Sequence, residues 1–510
     1  MAFVRFTASA DTTIVNAFQP NLITRGTGAN AGMADVVEVF SIYGRESSGS
    51  QELSRILLKF PIDEVSAQRT ANILPASGNV SYYLRLFNAP TSKTTPRDYS
   101  LVVAAVTKDW QEGVGLDLEG YTDLTKGNTG ANWMSASDTQ AWSNVGGDYL
   151  LTSDYYYTKA FENGLGNLEL DVTPLIERWI AGDQTNYGVI IKLSSSYEAS
   201  ASMDYVAQDD TVVYDPTGST KSYYTKRFFA RGSQYWFKRP QLEARWDDAT
   251  RDDRSNFYFS SSRAPAADNL NTLYFYNMVR GRLTNLPGVG TGEIFVSLYS
   301  GSSPYNTGPS GSKLTLYDGN TNLTGGYVST GIYSCSVAIV SSSTFPLYDV
   351  WHSGAGGVGD TQYYTGSIHP KVLDTGNTSA HPQYVISITN LQNSYSHKET
   401  ARINVFVRDK NWDPTIYTVA KATVQSLPIT SASYKVYRLM DGYEAVAYGT
   451  GSDFCTGMSY DVNGNYFDFD MASLEPNYAY AFKFVFYDEQ TKSWQEQAES
   501  FKFRVEKSNP

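Results

Sequence analysis

The chain contains 510 residues and carries a net charge of −12, with 41% hydrophobic and 18% charged residues. Its length exceeds what one hydrophobic core supports, so we expect roughly two to four domains. The acidic charge and the lack of a dense lysine or arginine cluster argue against nucleic-acid binding. The lack of any apolar run of about 18 residues argues against membrane insertion.

Aromatic residues make up 14% of the chain, which has 39 tyrosines and 41 glycines. Tyrosine suits half-exposed strand surfaces because its ring packs while its hydroxyl stays hydrated, and glycine supports tight turns. This composition predicts all-β structure. The two cysteines, Cys335 and Cys455, exclude a disulfide framework and are expected to be buried free thiols.

Short strand-like runs separated by turn residues fill the first 250 residues, as in Ser54–Phe60 and Leu101–Val106. One segment breaks this pattern. Thr173 suits the N-cap of a helix, Pro174 its first helical position and Gly182 a left-handed C-terminal end. Apolar residues between them share one face, so we predict a short amphipathic helix lying on a sheet. The apolar run that follows predicts a buried strand.

The stretch Ala244–Asn256 is densely charged and predicts a linker. Strands resume after it. Near the C-terminus, Asp441-Gly442 predicts a type I′ hairpin, and the alternating aromatics of Tyr478–Phe486 predict one buried strand face. The turn Leu474–Tyr478 resembles the one before a tyrosine-corner strand in fibronectin-type sandwiches.

The fold predicted from these patterns is all-β. We expect a jelly-roll-like β-sandwich at residues 1–248, followed by two smaller Ig-like β-sandwich domains at residues 257–376 and 380–510.

Six motifs follow one another in the first half of the chain: Ala10–Ile14, Arg55–Phe60, Val106–Glu112, Ala131–Trp133, Leu170–Ile190 and Arg239–Ala244. In this order, residues 1–247 resemble the DNRLRE (disaggregatase-related) β-sandwich family. The most specific motif is Leu170–Ile190, with its Asp-Val-Thr, Trp and Asn-Tyr-Gly elements. The resemblance implies a jelly-roll-like sandwich that serves as a carbohydrate-binding or adhesive unit. Insertions at Asp138–Phe161 and Met203–Arg227 depart from the family's pattern.

The rest of the chain resembles, more loosely, Ig-like sandwich modules of tailed-bacteriophage virion proteins. Residues Met1–Thr7 run directly into the first predicted strand and lack the basic and apolar parts of a secretion signal. We therefore predict a non-enzymatic virion structural or accessory protein of a tailed phage, as a head, neck or tail decoration or fibre component. It would be assembled in the host cytoplasm, form homo-oligomers and contact other virion proteins. The alternative is a secreted, extracellular carbohydrate-binding adhesive module protein.

Catalytic and metal-binding patterns are weak. The histidines are His352, His369, His381 and His397. Their spacing does not match that of a metal site. None precedes residue 352, which excludes a Ser-His-Asp triad inside the first predicted domain. Acidic pairs such as Asp209-Asp210 and Asp252-Asp253 are interpreted as solvated loop charge. We predict no enzymatic activity and no cofactor, with Ca²⁺ on loop oxygen atoms as the one ion left open.

Exposed aromatic rings are the remaining candidates for ligand contact, because a flat apolar ring with a polar edge suits a sugar surface. Trp110 and Trp179 fall at scaffold positions of the family and are expected in the core. The rings freer to be exposed, and so the predicted ligand-binding residues for a cell-surface polysaccharide, are Trp133, Trp142, Tyr155 and Tyr156.

Overall fold

A computed structural model describes residues 2–17, 28, 30–45, 50–92, 94–116, 130–198, 219–303, 308–340, 346–354, 360–371, 383–414, 416, 425–449 and 453–507. The pair Asp209-Asp210, His381 and the predicted boundary between residues 376 and 380 lie outside these ranges. Within them the chain is all-β, with 30 strands and two short α-helices. The chain forms two compact units, residues 2–247 with 451–455, and residues 248–450 with 456–510.

The unit of residues 2–247 is a β-sandwich. Its strands are β1 (Phe3–Thr7), β2 (Ala10–Val15), β3 (Val36–Arg45), β4 (Ser50–Lys59), β5 (Ser81–Leu86), β6 (Arg97–Ala105), β7 (Tyr156–Asn163), β8 (Leu168–Asp171), β9 (Val189–Leu193), β10 (Tyr223–Phe229) and β11 (Gln241–Arg245). One sheet has the order β1-β11-β5-β8; the other has the order β10-β3-β4-β9-β6-β7, with β2 also paired to β4.

Two helices, α1 (Ile62–Thr70) and α2 (Thr173–Ala181), belong to this unit. Pro174 lies in the first turn of α2, and Gly182 ends the helix with a left-handed φ of 82°. The apolar face of α2 is buried through Leu175, Ile176 and Trp179. The predicted helix is confirmed, but its N-cap is Val172 and the predicted N-cap, Thr173, is its first residue. Strand β9, with all five residues buried, is the strand predicted after the helix.

The other unit begins with a module of residues 257–371, called here the middle module. Its strands are β12 (Asn271–Tyr276), β13 (Met278–Val279), β14 (Arg282–Leu283), β15 (Ile294–Ser300), β16 (Ser310–Lys313), β17 (Leu323–Ser329), β18 (Ile332–Val337), β19 (Leu347–His352) and β20 (Gln362–Ile368). They follow the order β12-β18-β17-β15-β19-β20, with β16 on β15 and β13-β14 as a separate hairpin. The inward residues of β12, β15, β18 and β19 form one core around Trp351.

Residues 383–507 form the C-terminal module. Its strands are β21 (Tyr384–Ile388), β22 (Ser394–Ser396), β23 (Thr400–Asp409), β24 (Ala432–Arg438), β25 (Glu444–Val446), β26 (Ser459–Asp461), β27 (Gly464–Asp470), β28 (Ala479–Asp488), β29 (Ser493–Glu496) and β30 (Phe501–Glu506). Two sheets pack as an Ig-like sandwich, in the orders β21-β23-β27-β26 and β22-β30-β28-β24-β25, with β29 on β28. Strand β22 pairs with β30 in parallel.

Two local predictions in the C-terminal module have different outcomes. The Tyr480 hydroxyl donates to the backbone carbonyl of Glu475 at 2.9 Å, which confirms the tyrosine corner. The β24–β25 hairpin is present, but its predicted type I′ turn is wrong. That turn requires positive φ at both central residues, and of Asp441 and Gly442 only Gly442 adopts it. Asp441 instead holds the Arg438 guanidinium at 2.6 Å.

Both cysteines are free and buried, as predicted. Burial raises the pKa of the Cys455 thiol to about 12. A thiol with a raised pKa is a poor nucleophile at neutral pH, so this cysteine is a structural residue.

Candidate functional site

A short segment of residues 250–255, called here the strap, carries buried charge. The Arg254 side chain is 6% exposed and donates to Asp252 at 2.7 Å, to the fully buried carboxylate of Asp349, and to the backbone carbonyl of Tyr274. The Trp351 indole donates to Asp349 as well, at 2.7 Å. The interpretation of the pair Asp252-Asp253 as solvated loop charge is therefore wrong for Asp252, which is buried and paired with Arg254.

The strap is also hydrogen-bonded to the C-terminal module. The backbone N–H of Asp252 donates to the carbonyl of Tyr460 at 3.0 Å, and the Tyr460 hydroxyl donates to Asp253 at 2.6 Å. The Ser255 hydroxyl donates to the carbonyl of Asp461 at 3.0 Å. The six-residue strap is thus hydrogen-bonded to residues of both modules of this unit.

The surroundings of the strap shift the pKa values of its two carboxyl groups. Burial raises the pKa of the Asp252 carboxyl to about 6, although the Arg254 guanidinium opposes the shift. Burial also raises the pKa of Asp253. An acid whose folded pKa is raised favours folding most when protonated, so this contribution of Asp252 to stability is lost as the pH rises from about 4 to about 6.

An open cleft with a volume of 660 Å³ lies beside the strap. Arg254 and Asp252 line it, together with three tyrosines and a polar margin. This volume falls within the range of pockets that bind small molecules. The lining also includes Tyr274, Tyr276, Tyr364, Ser367, His369, Lys371, Asp461 and Asn463.

The three tyrosines come from two strands. Tyr274 and Tyr276 are two residues apart on β12 and so point to the same face; their rings are 6.4 Å apart and inclined by 25°. Tyr364, on β20, is 39% exposed, and the Arg254 guanidinium lies 5.6 Å from its ring centre. The cleft therefore offers several aromatic surfaces beside fixed hydrogen-bonding groups.

The charges in the cleft are close to balanced. Arg254 is matched by Asp252 and Asp349. Lys371 donates to the Asn256 side chain at 3.0 Å, and burial lowers the pKa of its ammonium group. The cleft thus has no excess of positive charge to attract an anion.

The predicted ligand-binding tryptophans lie elsewhere and are inaccessible. Trp133 is fully buried and Trp142 is 6% exposed, both in the same hydrophobic cluster. The Arg55 guanidinium lies 5.1 Å from the Trp133 ring centre, and the Trp142 indole donates to a backbone carbonyl at 2.9 Å. The expectation that these two rings are exposed is wrong, because large apolar surfaces gain most from burial.

The two predicted tyrosines are half-buried. Tyr156 packs against the cluster that holds Trp133, and the Arg178 guanidinium lies 5.3 Å from the ring centre of Tyr155. Part of each ring is exposed, so a role in ligand binding for these two residues stays a prediction.

A serine and a histidine come together in the middle module. The Ser297 hydroxyl lies 2.8 Å from Nε2 of His352, and Nδ1 of His352 lies 4.0 Å from the Asp360 carboxylate. Ser297 is fully buried and also donates to Asn322 at 2.8 Å, while Nδ1 is hydrogen-bonded to the Gly354 carbonyl. A serine nucleophile must be reachable by its substrate, so this conformation serves as a packing contact.

Within the ranges that the structure describes, no three histidine, cysteine or acidic side chains are grouped closely enough to hold a metal ion. In the same ranges, no helix has the length and apolar character needed to cross a membrane.

The cleft was not predicted from the sequence. Its one local signal is the alternation of tyrosine at residues 274 and 276, which places two rings on the outer face of a strand. The other lining residues come from separate strands and turns, and only the fold brings them together.

No family model and no curated protein matches the chain. Solved structures that match include the N-terminal Ig1-2 module of the Drosophila receptor protein tyrosine phosphatase DLAR, with 9% identity over 46% of this chain and 90% of that one, at a TM-score of 0.14. A second, titled tandem Ig repeats of Dlar, has 8% identity over 42% of this chain and 82% of that one, at a TM-score of 0.13. At these TM-scores the likeness carries no weight beside the strands and sheets described above.

Proposed function

We propose that this protein is a non-enzymatic structural or accessory component of a tailed-phage virion, acting through protein contacts and through binding of a cell-surface glycan. The resemblance of residues 1–247 to an adhesive sandwich family, and of the remainder to virion Ig-like modules, supports this proposal. The protein would be assembled in the host cytoplasm into a homo-oligomer with other virion proteins.

The observation that carries the binding part is the open, tyrosine-lined cleft beside the strap. Polar and aromatic groups converge there on a unit whose two modules are both hydrogen-bonded to the strap. A site built on such fixed elements holds its groups in place without ordering costs at the moment of binding.

Quantitative mass spectrometry of particles purified on a density gradient tests the virion assignment. The chain is expected to sediment with the major capsid protein at a constant ratio across fractions and after a high-salt wash. Its recovery only from the soluble fraction would contradict the proposal.

The second candidate is a secreted carbohydrate-binding adhesive protein. The same cleft favours it, because glycan binding does not require a particle. Recovery of the free chain from the medium of cells that produce no particles would favour this extracellular function over the virion one.

A further inference from the structure

We infer that the cleft beside the strap binds a neutral oligosaccharide segment, with Tyr274, Tyr276 and Tyr364 as its stacking surfaces. The inference rests on the adhesive part of the function proposed above. It adds the position of the site and the chemical class of the ligand.

The aromatic surfaces favour a sugar over a wholly polar solute. A pyranose ring has an apolar face of C–H groups, and the flat apolar ring of a tyrosine can pack against such a face. Two near-parallel rings at the i and i+2 positions of β12 repeat this surface along one direction. A third ring from β20, 39% exposed, extends it across the cleft.

The polar groups at the margin suit hydroxyl recognition. Ser367 and Asn463 are exposed there, and the Asp461 carboxylate lies beside them. Hydroxyl groups both donate and accept hydrogen bonds, so they require acceptors and donors within one site. Serine and asparagine side chains offer both roles, and the aspartate adds a strong acceptor.

The charge balance selects an uncharged ligand. The one guanidinium in the cleft is held by two buried carboxylates, and the whole chain carries −12. A uronic or sialic acid would bring its carboxylate close to Asp252 and Asp461, where Arg254 is already paired and burial lowers the pKa of Lys371. Like charges at such sites cost affinity, so acidic glycans are disfavoured.

The test uses the intact chain on an array of neutral and uronic-acid-containing bacterial polysaccharides, followed by calorimetric titration with oligosaccharides of the strongest neutral hit. Tyr364→Ala is expected to weaken binding about 3- to 10-fold, as for the loss of one aromatic contact. Tyr224→Ala, at a tyrosine that is 51% exposed in the other compact unit, is the matched control and is expected to leave binding unchanged.

A second variant avoids removing a packed ring. Ser367→Trp places a bulky side chain at the exposed margin of the cleft and is expected to abolish binding while the thermal unfolding curve stays unchanged. Retained binding in Ser367→Trp would overturn the location, and equal binding of acidic and neutral glycans would overturn the ligand class. If no neutral saccharide on the array binds, the whole inference is wrong, whereas particle composition still decides the virion assignment.

Discussion

Replacing Arg254 with methionine tests the buried strap network. The substitution keeps most of the aliphatic volume but leaves Asp349, which is fully buried, and Asp252, which is 3% exposed, without their cation. Removing one partner of a buried ion pair costs about 3–5 kcal/mol. Since each 1.4 kcal/mol is a factor of ten, the opening equilibrium of the region should rise by about two to three and a half orders of magnitude.

Amide hydrogen exchange read by mass spectrometry measures this locally, on peptides that cover β12 and β19. Exchange should accelerate in these peptides in Arg254→Met and stay unchanged in Arg263→Met, where the arginine is exposed. Asp349→Asn added to Arg254→Met should recover part of the protection, because it removes one of the two unpaired charges.

The pH dependence of the same experiment has a defined sign. Without Arg254, its guanidinium no longer opposes the burial that raises the pKa of Asp252, so the folded variant binds a proton that the unfolded chain has released. Its stability then falls as the pH rises, and the deficit should be larger at pH 8 than at pH 5. Exchange within about threefold of the native protein at both pH values would refute the argument.

Three further predictions concern the unit of residues 2–247. Trp133→Ala should lower the free energy of unfolding by about 3–5 kcal/mol, because Trp133 is fully buried. Trp494→Ala, at a residue that is 46% exposed, should lower it much less. Equal losses in urea titrations would contradict the burial of Trp133. Burial lowers the pKa of Lys226 to about 7, so the free energy of unfolding should rise with pH between about 7 and about 10.5. In Lys226→Met, the urea concentration at the unfolding midpoint should not show this rise. Gly188→Ala should lower the melting temperature, because φ at residue 188 is +83° and an added Cβ would lie 2.0 Å from a carbonyl oxygen of β4. Gly232→Ala is the control and should not lower it, because a Cβ at residue 232 would lie in open space. Similar melting temperatures for the two variants would contradict this prediction.

Local signals predicted local structure well. The helix α2 follows from a proline in its first turn and a glycine at its end, both adjacent in sequence to the residues that they affect. The tyrosine corner joins Tyr480 to a carbonyl only five residues earlier. Such features depend on few distant contacts, so the sequence alone is sufficient to recognise them.

The errors concern burial, which depends on distant partners. Arg254 is buried because Asp349, 95 residues away, supplies its counter-charge, and nothing in the local sequence distinguishes it from solvated arginines. Trp133 is covered by Arg55, which is in turn paired with Glu198 at 3.1 Å. The candidate site was misplaced for the same reason, since its lining joins separate strands of one unit.

Under the proposed function, this chain belongs to a virion and acts there through binding. Immunogold electron microscopy with antibodies raised against residues 248–507 tests it most directly on intact particles. Gold is expected at one fixed position on the head, neck or tail of nearly every particle. Unlabelled particles, together with a strong antibody signal in the particle-free fraction, would contradict it.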